Sequence, residues 1–132
     1  MHLAAARIDD PQGLIDNTLY WAAVETEDEA HYLCAILNSP KTTELVRPLM
    51  SYGKDERHIH KHVWKLPIPA YNPGDHRHQR LADLGHALAA EVAALDLDET
   101  THFPVLRCRI REHLEASPAG IEAQELVIEL VS

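Results

Sequence analysis

The residues best suited to chemistry lie in a basic, histidine-rich block in the middle of the chain, residues 54 to 65. The block runs directly into an apolar segment closed by prolines, Leu-Pro-Ile-Pro at 66 to 69. Lysine and arginine neutralise phosphates, and arginine or histidine can reach base edges in a DNA groove. The sequence therefore predicts a surface that contacts a polyanion, formed by Lys54, Arg57, His58, His60, Lys61 and Lys65.

This predicted surface would grip DNA weakly. About four phosphate contacts would make log K fall with log salt at a slope of roughly −0.9 per contact. So few contacts would give only a modest affinity. Imidazoles gain charge on mild acidification, so we expect affinity for duplex DNA to rise as the pH falls below neutral. The plain alternative is that the block is a solvated polar turn.

The same histidines also suit metal binding. On a strand, the three alternating histidines of the block would share one face at roughly 7 Å spacing, and two more could approach across a turn. Zinc hydrolases use such ligands with an open coordination position and a nearby carboxylate. Runs of surface histidine are often adventitious, so this is the lesser alternative. Its residues would be His58, His60, His62, His76, His78 and Asp75.

Charge is distributed unevenly along the 132 residues. The formal net charge is −9, which is unusual for a dedicated nucleic-acid binder. However, residues 41 to 80 carry eight basic against four acidic residues, while the segments on either side are strongly acidic. This asymmetry favours a partner-facing centre between two solvated flanks, although acidic flanks also simply promote solubility.

Targeting and redox signals are weak. The sequence has no run of about eighteen apolar residues and no secretory leader, so a cytoplasmic location is expected, without membrane contact. Its two cysteines, Cys34 and Cys108, lack metal or redox spacing. We expect both to be reduced, buried thiols.

The first half of the chain predicts an α+β unit. Alternating apolar residues at 19 to 26 predict a strand, and a capping box starting at Thr26 predicts a helix from Glu27. Ala30, Leu33, Cys34 and Leu37 would form its buried face. A second helix is expected at 40 to 49, capped by Ser39, and residues 63 to 69 predict an edge strand ended by prolines.

The second half predicts helices. Asp75 can cap a long helix over residues 76 to 95 whose apolar positions repeat at intervals of 3 and 4. These positions form an assembly seam: Leu81, Leu84, Leu88, Val92 and Leu95. A helical hairpin is expected to follow. Its first helix carries Val105, Leu106, Ile110 and Leu114, and its last helix, over residues 121 to 131, has Ile121, Leu126, Val127 and Leu130 facing inward. The predicted organisation is a partial α+β domain at 1–75, poorly ordered over 1–15, and a helical part at 76–132.

Several motifs together resemble a known family. Residues 29 to 40 read Glu-Ala-His-Tyr-Leu-Cys-Ala-Ile-Leu-Asn-Ser-Pro; Gly53, Arg-His-Ile-His-Lys at 57 to 61, Lys-Leu-Pro-Ile-Pro at 65 to 69 and His78 follow. This succession, over about residues 17 to 95, resembles the C-terminal target-recognition region of adenine-specific DNA methyltransferases of restriction-modification systems. Both type IIG fused enzymes and type I specificity subunits have such a region.

The resemblance implies recognition without catalysis. In that family an N-terminal Rossmann-like domain transfers the methyl group, using a glycine-rich cofactor motif and an Asn/Asp-Pro-Pro-aromatic motif that holds the flipped adenine. Neither motif occurs in this sequence, so we expect no enzyme activity and no cofactor; S-adenosylmethionine would bind the catalytic domain.

The partners that the resemblance implies are double-stranded DNA and a methyltransferase catalytic domain or subunit. Type I specificity subunits also use their long helices for docking. A helical assembly module that does not touch DNA, including a homodimer through the long helix, therefore stays open as the alternative.

Overall fold

The computed structural model of the protein describes residues 5–7, 23–49, 66–96, 98 and 100–131. Its helices are α1 (Glu27–Leu37), α2 (Pro40–Val46) followed by a 3-10 turn (Arg47–Leu49), α3 (His76–Ala93), α4 (Phe103–Ala116) and α5 (Pro118–Val131). The central helix is α3, which packs most extensively against α1 and then against α5, while α4 lies beside α5.

The expected α+β class is wrong, because the described part of the chain is 71% helical and contains no strand. At the end of the first expected strand, Ala23 and Val24 are exposed and irregular. The second expected strand is irregular from Leu66 to Pro69. Its prolines cannot donate ladder hydrogen bonds. Residues 19 to 22 and 63 to 65 of the expected strands lie outside the described ranges.

The three expected N-caps are confirmed, and they fix where α1, α2 and α3 begin. The Thr26 hydroxyl accepts the N–H three residues further on at 3.1 Å. Ser39 and Asp75 each accept the N–H two residues further on, at 3.3 and 2.9 Å. Each side chain satisfies a backbone donor that has no partner within its helix.

The core lies where α1, α3 and α5 meet. Its fully buried members include Tyr32, Ile36, Leu81 and Val127. These side chains come from three helices that are distant in sequence, so burial of their apolar surface is what holds the helices together. The C-terminal helix α5 covers part of α3.

The predicted buried face of α1 is partly wrong. Ala30 is buried as expected, but Leu33, Cys34 and Leu37 are half-buried, and the fully buried side chains are Tyr32 and Ile36. Residues 30 to 37 are largely apolar on every side of the helix, so periodicity could not select a face. Packing against α3 selects it instead.

A glycine allows α1 and α3 to approach closely. A Cβ atom added at Gly85 would overlap the backbone carbonyl oxygen of His31 and would contact Ala35. The two backbones therefore touch at this position, which no other residue type would permit without displacement.

In the C-terminal hairpin, the turn between α4 and α5 is closely packed, while parts of both helices are exposed. A Cβ atom at Gly120 would overlap the Leu114 carbonyl oxygen, so glycine is required there. The helix α4 has no buried residue, and Val105 is 44% exposed. Of the α5 residues expected to face inward, Val127 is buried and Leu126 and Leu130 are half-buried, but Ile121 is 48% exposed.

Two smaller expectations concern the cysteines and the membrane. Cys34 and Cys108 are free, as expected, but they are half-buried instead of buried. Among the described helices, none is long and apolar enough to cross a membrane.

Candidate nucleic-acid interface

The predicted DNA-contacting residues lie outside the described ranges. They are Lys54, Arg57, His58, His60, Lys61 and Lys65. The structure does describe the segment that follows them, residues 66 to 75, and this segment is held firmly against the helices. The chain that follows the basic block is therefore held at residues 69 and 72.

The first attachment joins this segment to α1. The Tyr32 hydroxyl donates a 2.7 Å hydrogen bond to the Pro69 carbonyl oxygen. Burial, together with the negative charge of Asp75, raises the pKa of Tyr32 to about 12 against the opposing charge of Arg77. The phenol is therefore protonated, and able to donate, at every physiological pH.

The second attachment joins the segment to α3. The Asn72 backbone N–H donates to His78 Nδ1 at 2.9 Å. His78 is buried and stacks on Tyr32, with ring centroids 4.9 Å apart, while Tyr71 lies on the same aromatic cluster. Because Nδ1 accepts a hydrogen bond, a neutral His78 carries its proton on Nε2, which lies 3.7 Å from Asp75 Oδ2.

A turn closes the segment and begins α3. The Asp75 N–H donates to the Asn72 carbonyl oxygen at 3.0 Å, and the Gly74 N–H donates to the Asn72 side chain at 2.9 Å. These hydrogen bonds form a turn over residues 72 to 75. Hydrogen bonds from Arg77 hold the pKa of Asp75 below its ordinary value, so the cap is ionised at neutral pH.

The corner between α1 and α2 holds an N-terminal segment. The Asn38 side chain accepts from the Ala5 N–H at 3.0 Å and donates to the Ala5 carbonyl oxygen at 2.9 Å. One carboxamide thus pairs with both polar groups of one residue. Arg7 belongs to the same N-terminal segment, and its guanidinium group lies 3.6 Å from Glu27 Oε1 on α1.

An open, mainly apolar cleft of about 430 Å³ lies between this segment and α1, α3, α4 and α5. Its charged lining residues are of both signs, Arg7 and Arg111 with Glu115. Such a lining does not favour a polyanion. The cleft is therefore not a second candidate for DNA contact.

The predicted assembly seam lies largely inside the protein. Leu81, Leu84 and Leu88 are buried, while Val92 and Leu95 are half-buried. Because α1 and α5 pack against α3, the three leucines contact the same chain. A second copy could not pair with them unless the helices separated.

The structure brings together some of the predicted metal ligands. His78 and Asp75 are near one another, but His78 Nδ1 is already occupied by the Asn72 N–H. His76 is exposed at the start of α3, and the three histidines of the basic block lie outside the described ranges.

Sequence reasoning missed a different group of donors, Glu27, His31 and His86. Their ligand atoms all lie within 4.8 Å of one another. Glu27 and His31 are one turn apart on α1, a local signal that was available. His86 is 55 residues further along the chain, and its position beside His31 depends on the α1–α3 crossing.

Comparisons with known proteins find no matching family model, no matching curated protein and no matching solved structure.

Proposed function

We propose that this chain is a non-catalytic DNA target-recognition module, or part of one, of a restriction-modification adenine methyltransferase. The proposal takes its chemistry from the basic block at 54 to 65, and its family from the motifs on either side of the block. Methyl transfer would take place on a separate catalytic domain or subunit.

The observation that carries the proposal is the double attachment of residues 69 and 72. Tyr32 holds the Pro69 carbonyl oxygen and His78 holds the Asn72 N–H, within a few residues of Lys65. A contact loop that starts from a fixed point loses less conformational entropy on binding than a loop joined to a flexible linker. A helical body that holds residues 69 and 72, shortly after the basic block in the sequence, suits recognition.

Charge supports the same arrangement. The basic block lies within the net positive stretch of residues 41 to 80, and the segments on either side of that stretch are acidic, so repulsion from DNA phosphates disfavours other orientations of the protein. A weak positive contact within an acidic surface fixes orientation more than it adds affinity. Tight binding is then expected to require the methyltransferase partner.

The test is titration of a fluorescently labelled duplex of about 20 base pairs at low salt, followed by anisotropy. The variant Arg57→Ala/Lys61→Ala should weaken binding at least several-fold. The matched control is Arg107→Ala/Arg109→Ala, which removes the same charge from exposed positions on α4. The control should bind nearly as the parent does.

Equal losses in the two variants would mean that net charge alone matters, and would contradict a localised contact. Binding that is absent from the parent chain, both alone and with a methyltransferase catalytic subunit added, would also contradict the proposal. Circular dichroism of each variant confirms that the helices persist.

A second candidate function, docking without DNA contact, is favoured by a different observation. The outer face of the hairpin exposes large apolar side chains, with Phe103 68% exposed and Ile128 48% exposed. Exposed apolar groups of this size are typical of protein contacts. Sedimentation of the parent chain and of Phe103→Ser at high concentration tests it: the variant should lose any self-association shown by the parent.

A further inference from the structure

We infer that Glu27, His31 and His86 form a binding site for a divalent transition-metal ion of borderline softness, with Zn²⁺ the best match. The inference is independent of DNA recognition, and none of the three residues belongs to the basic block. It depends on how the crossing of α1 and α3 brings two helices' donors together.

The distances between donor atoms fit a metal site. His31 Nε2 lies 3.1 Å from His86 Nδ1 and 3.4 Å from Glu27 Oε1. Ligand atoms at about 2.0–2.1 Å from zinc in a tetrahedron lie roughly 3.3–3.4 Å apart. Small side-chain rotations would therefore place one ion within reach of all three donors.

The scaffold positions the histidines closely. Gly85 allows the α3 backbone to touch the carbonyl oxygen of His31, and His86 is the next residue on α3. The two imidazole rings meet edge to face, with centroids 4.7 Å apart. His31 is 5% exposed, so its ring is held by packing, whereas His86 and Glu27 are exposed and can adjust.

The ligand set selects the kind of ion. Two imidazoles and one carboxylate suit zinc and its neighbours in the first transition series, whereas Mg²⁺ and Ca²⁺ prefer oxygen ligands. Three protein ligands leave a fourth position open to water, since two of the donors are exposed. The ion would link α1 to α3, the two helices that also hold Pro69 and Asn72.

One neighbour opposes the ion. The Arg7 guanidinium lies 3.6 Å from Glu27 Oε1, and its positive charge would repel a cation at this oxygen. Replacing Arg7 with Gln should therefore tighten zinc binding a few-fold. This effect distinguishes a site at Glu27 from one elsewhere on the chain.

The experiment uses zinc itself, titrated against a chromophoric chelator, in a parent whose basic-block histidines His58, His60 and His62 are replaced by Ala to remove adventitious binding. The parent should bind one Zn²⁺ per chain, and excess zinc should raise its Tm by roughly 5 to 10 °C. Co²⁺ should give the intense visible bands of a four-coordinate ion.

His86→Ala and Glu27→Gln should each weaken zinc binding by about 10-fold or more. Both should lower the metal-free Tm only slightly, because these side chains are exposed and each substitution leaves the buried His31 ring with its other partner. The matched control is His113→Ala: His113 also pairs with a carboxylate, Glu91 at 3.0 Å, but without a third donor in the described structure. It should bind zinc as the parent does. A parent that binds no zinc, or zinc binding indifferent to His86→Ala, overturns the inference.

Discussion

The Tyr32 hydroxyl donates a 2.7 Å hydrogen bond to the Pro69 carbonyl oxygen, across 37 residues of sequence. Tyr32 is fully buried on α1, while Pro69 closes the apolar segment behind the basic block. One side-chain contact therefore connects the segment that follows the basic block, residues 66 to 75, to the hydrophobic core. The segment does not need a sheet to hold it.

Removing this hydrogen bond should destabilise the protein measurably. Tyr32→Phe leaves the Pro69 carbonyl oxygen without its donor, and we expect a loss of about 1–2 kcal/mol in the free energy of unfolding in urea. The control is Tyr71→Phe, because the Tyr71 hydroxyl makes no hydrogen bond within the described structure and the change should have little effect. Equal effects of the two substitutions would show that the contact does not contribute.

The close approach of α1 and α3 at Gly85 leads to a second prediction, about the stability of a Gly85 variant. Alanine is the better helix former by about 1 kcal/mol. Even so, Gly85→Ala should destabilise the protein by about 1–3 kcal/mol, because the new methyl group meets the His31 carbonyl oxygen.

The control for this crossing is Ala87→Gly at an exposed position of the same helix, which should cost only the propensity difference. Chemical unfolding of both variants tests the crossing. A stabilised Gly85→Ala protein would contradict so close an approach.

The contact between Arg80 on α3 and Glu122 on α5 predicts a pH dependence. Arg80 donates two hydrogen bonds to the carboxylate, at 2.5 and 2.8 Å. These bonds hold the pKa of Glu122 below its ordinary value. Because the folded pKa is lowered, the contribution to stability is complete above the ordinary carboxyl range and is lost as pH falls through the lowered pKa.

An NMR titration of the Glu122 carboxyl group tests this contact. The titration midpoint of Glu122 should move up toward the ordinary carboxyl value in Arg80→Met. It should stay in place in the control Arg107→Met, because the Arg107 guanidinium lies over the Phe103 ring. Arg80→Met should also lose less stability than the parent on acidification. An unmoved midpoint would mean that the pair does not persist in solution.

Local features of the fold, such as the helix caps, were predictable from the sequence, but the fold class was not. The caps Thr26, Ser39 and Asp75 act within three residues, so their sequence signals are self-contained. The Leu-Pro-Ile-Pro segment has the composition of a strand, but a strand requires a second strand to pair with. The Pro69 carbonyl oxygen accepts a hydrogen bond from the Tyr32 hydroxyl instead of from a neighbouring strand. No local sequence pattern predicts this contact, because the two residues are 37 positions apart.

The same distinction applies to the candidate sites. The basic block is visible as composition, but the attachment of the following segment through His78 is not, because the stacking of His78 on Tyr32 depends on how α1 meets α3. The donors His31 and His86 likewise converge only through that crossing. Spacing along the chain could point to Glu27 and His31 as a helical pair, but it could not supply the third ligand.

The salt dependence of duplex binding tests the central claim most directly. For the parent chain, log K should fall with log salt at a slope of roughly −3.6, the value expected for about four phosphate contacts. The slope should approach zero in a variant with Lys54, Arg57, Lys61 and Lys65 all changed to Ala. A parent slope near zero, or a slope that the four substitutions leave unchanged, would contradict the claim that this segment touches DNA.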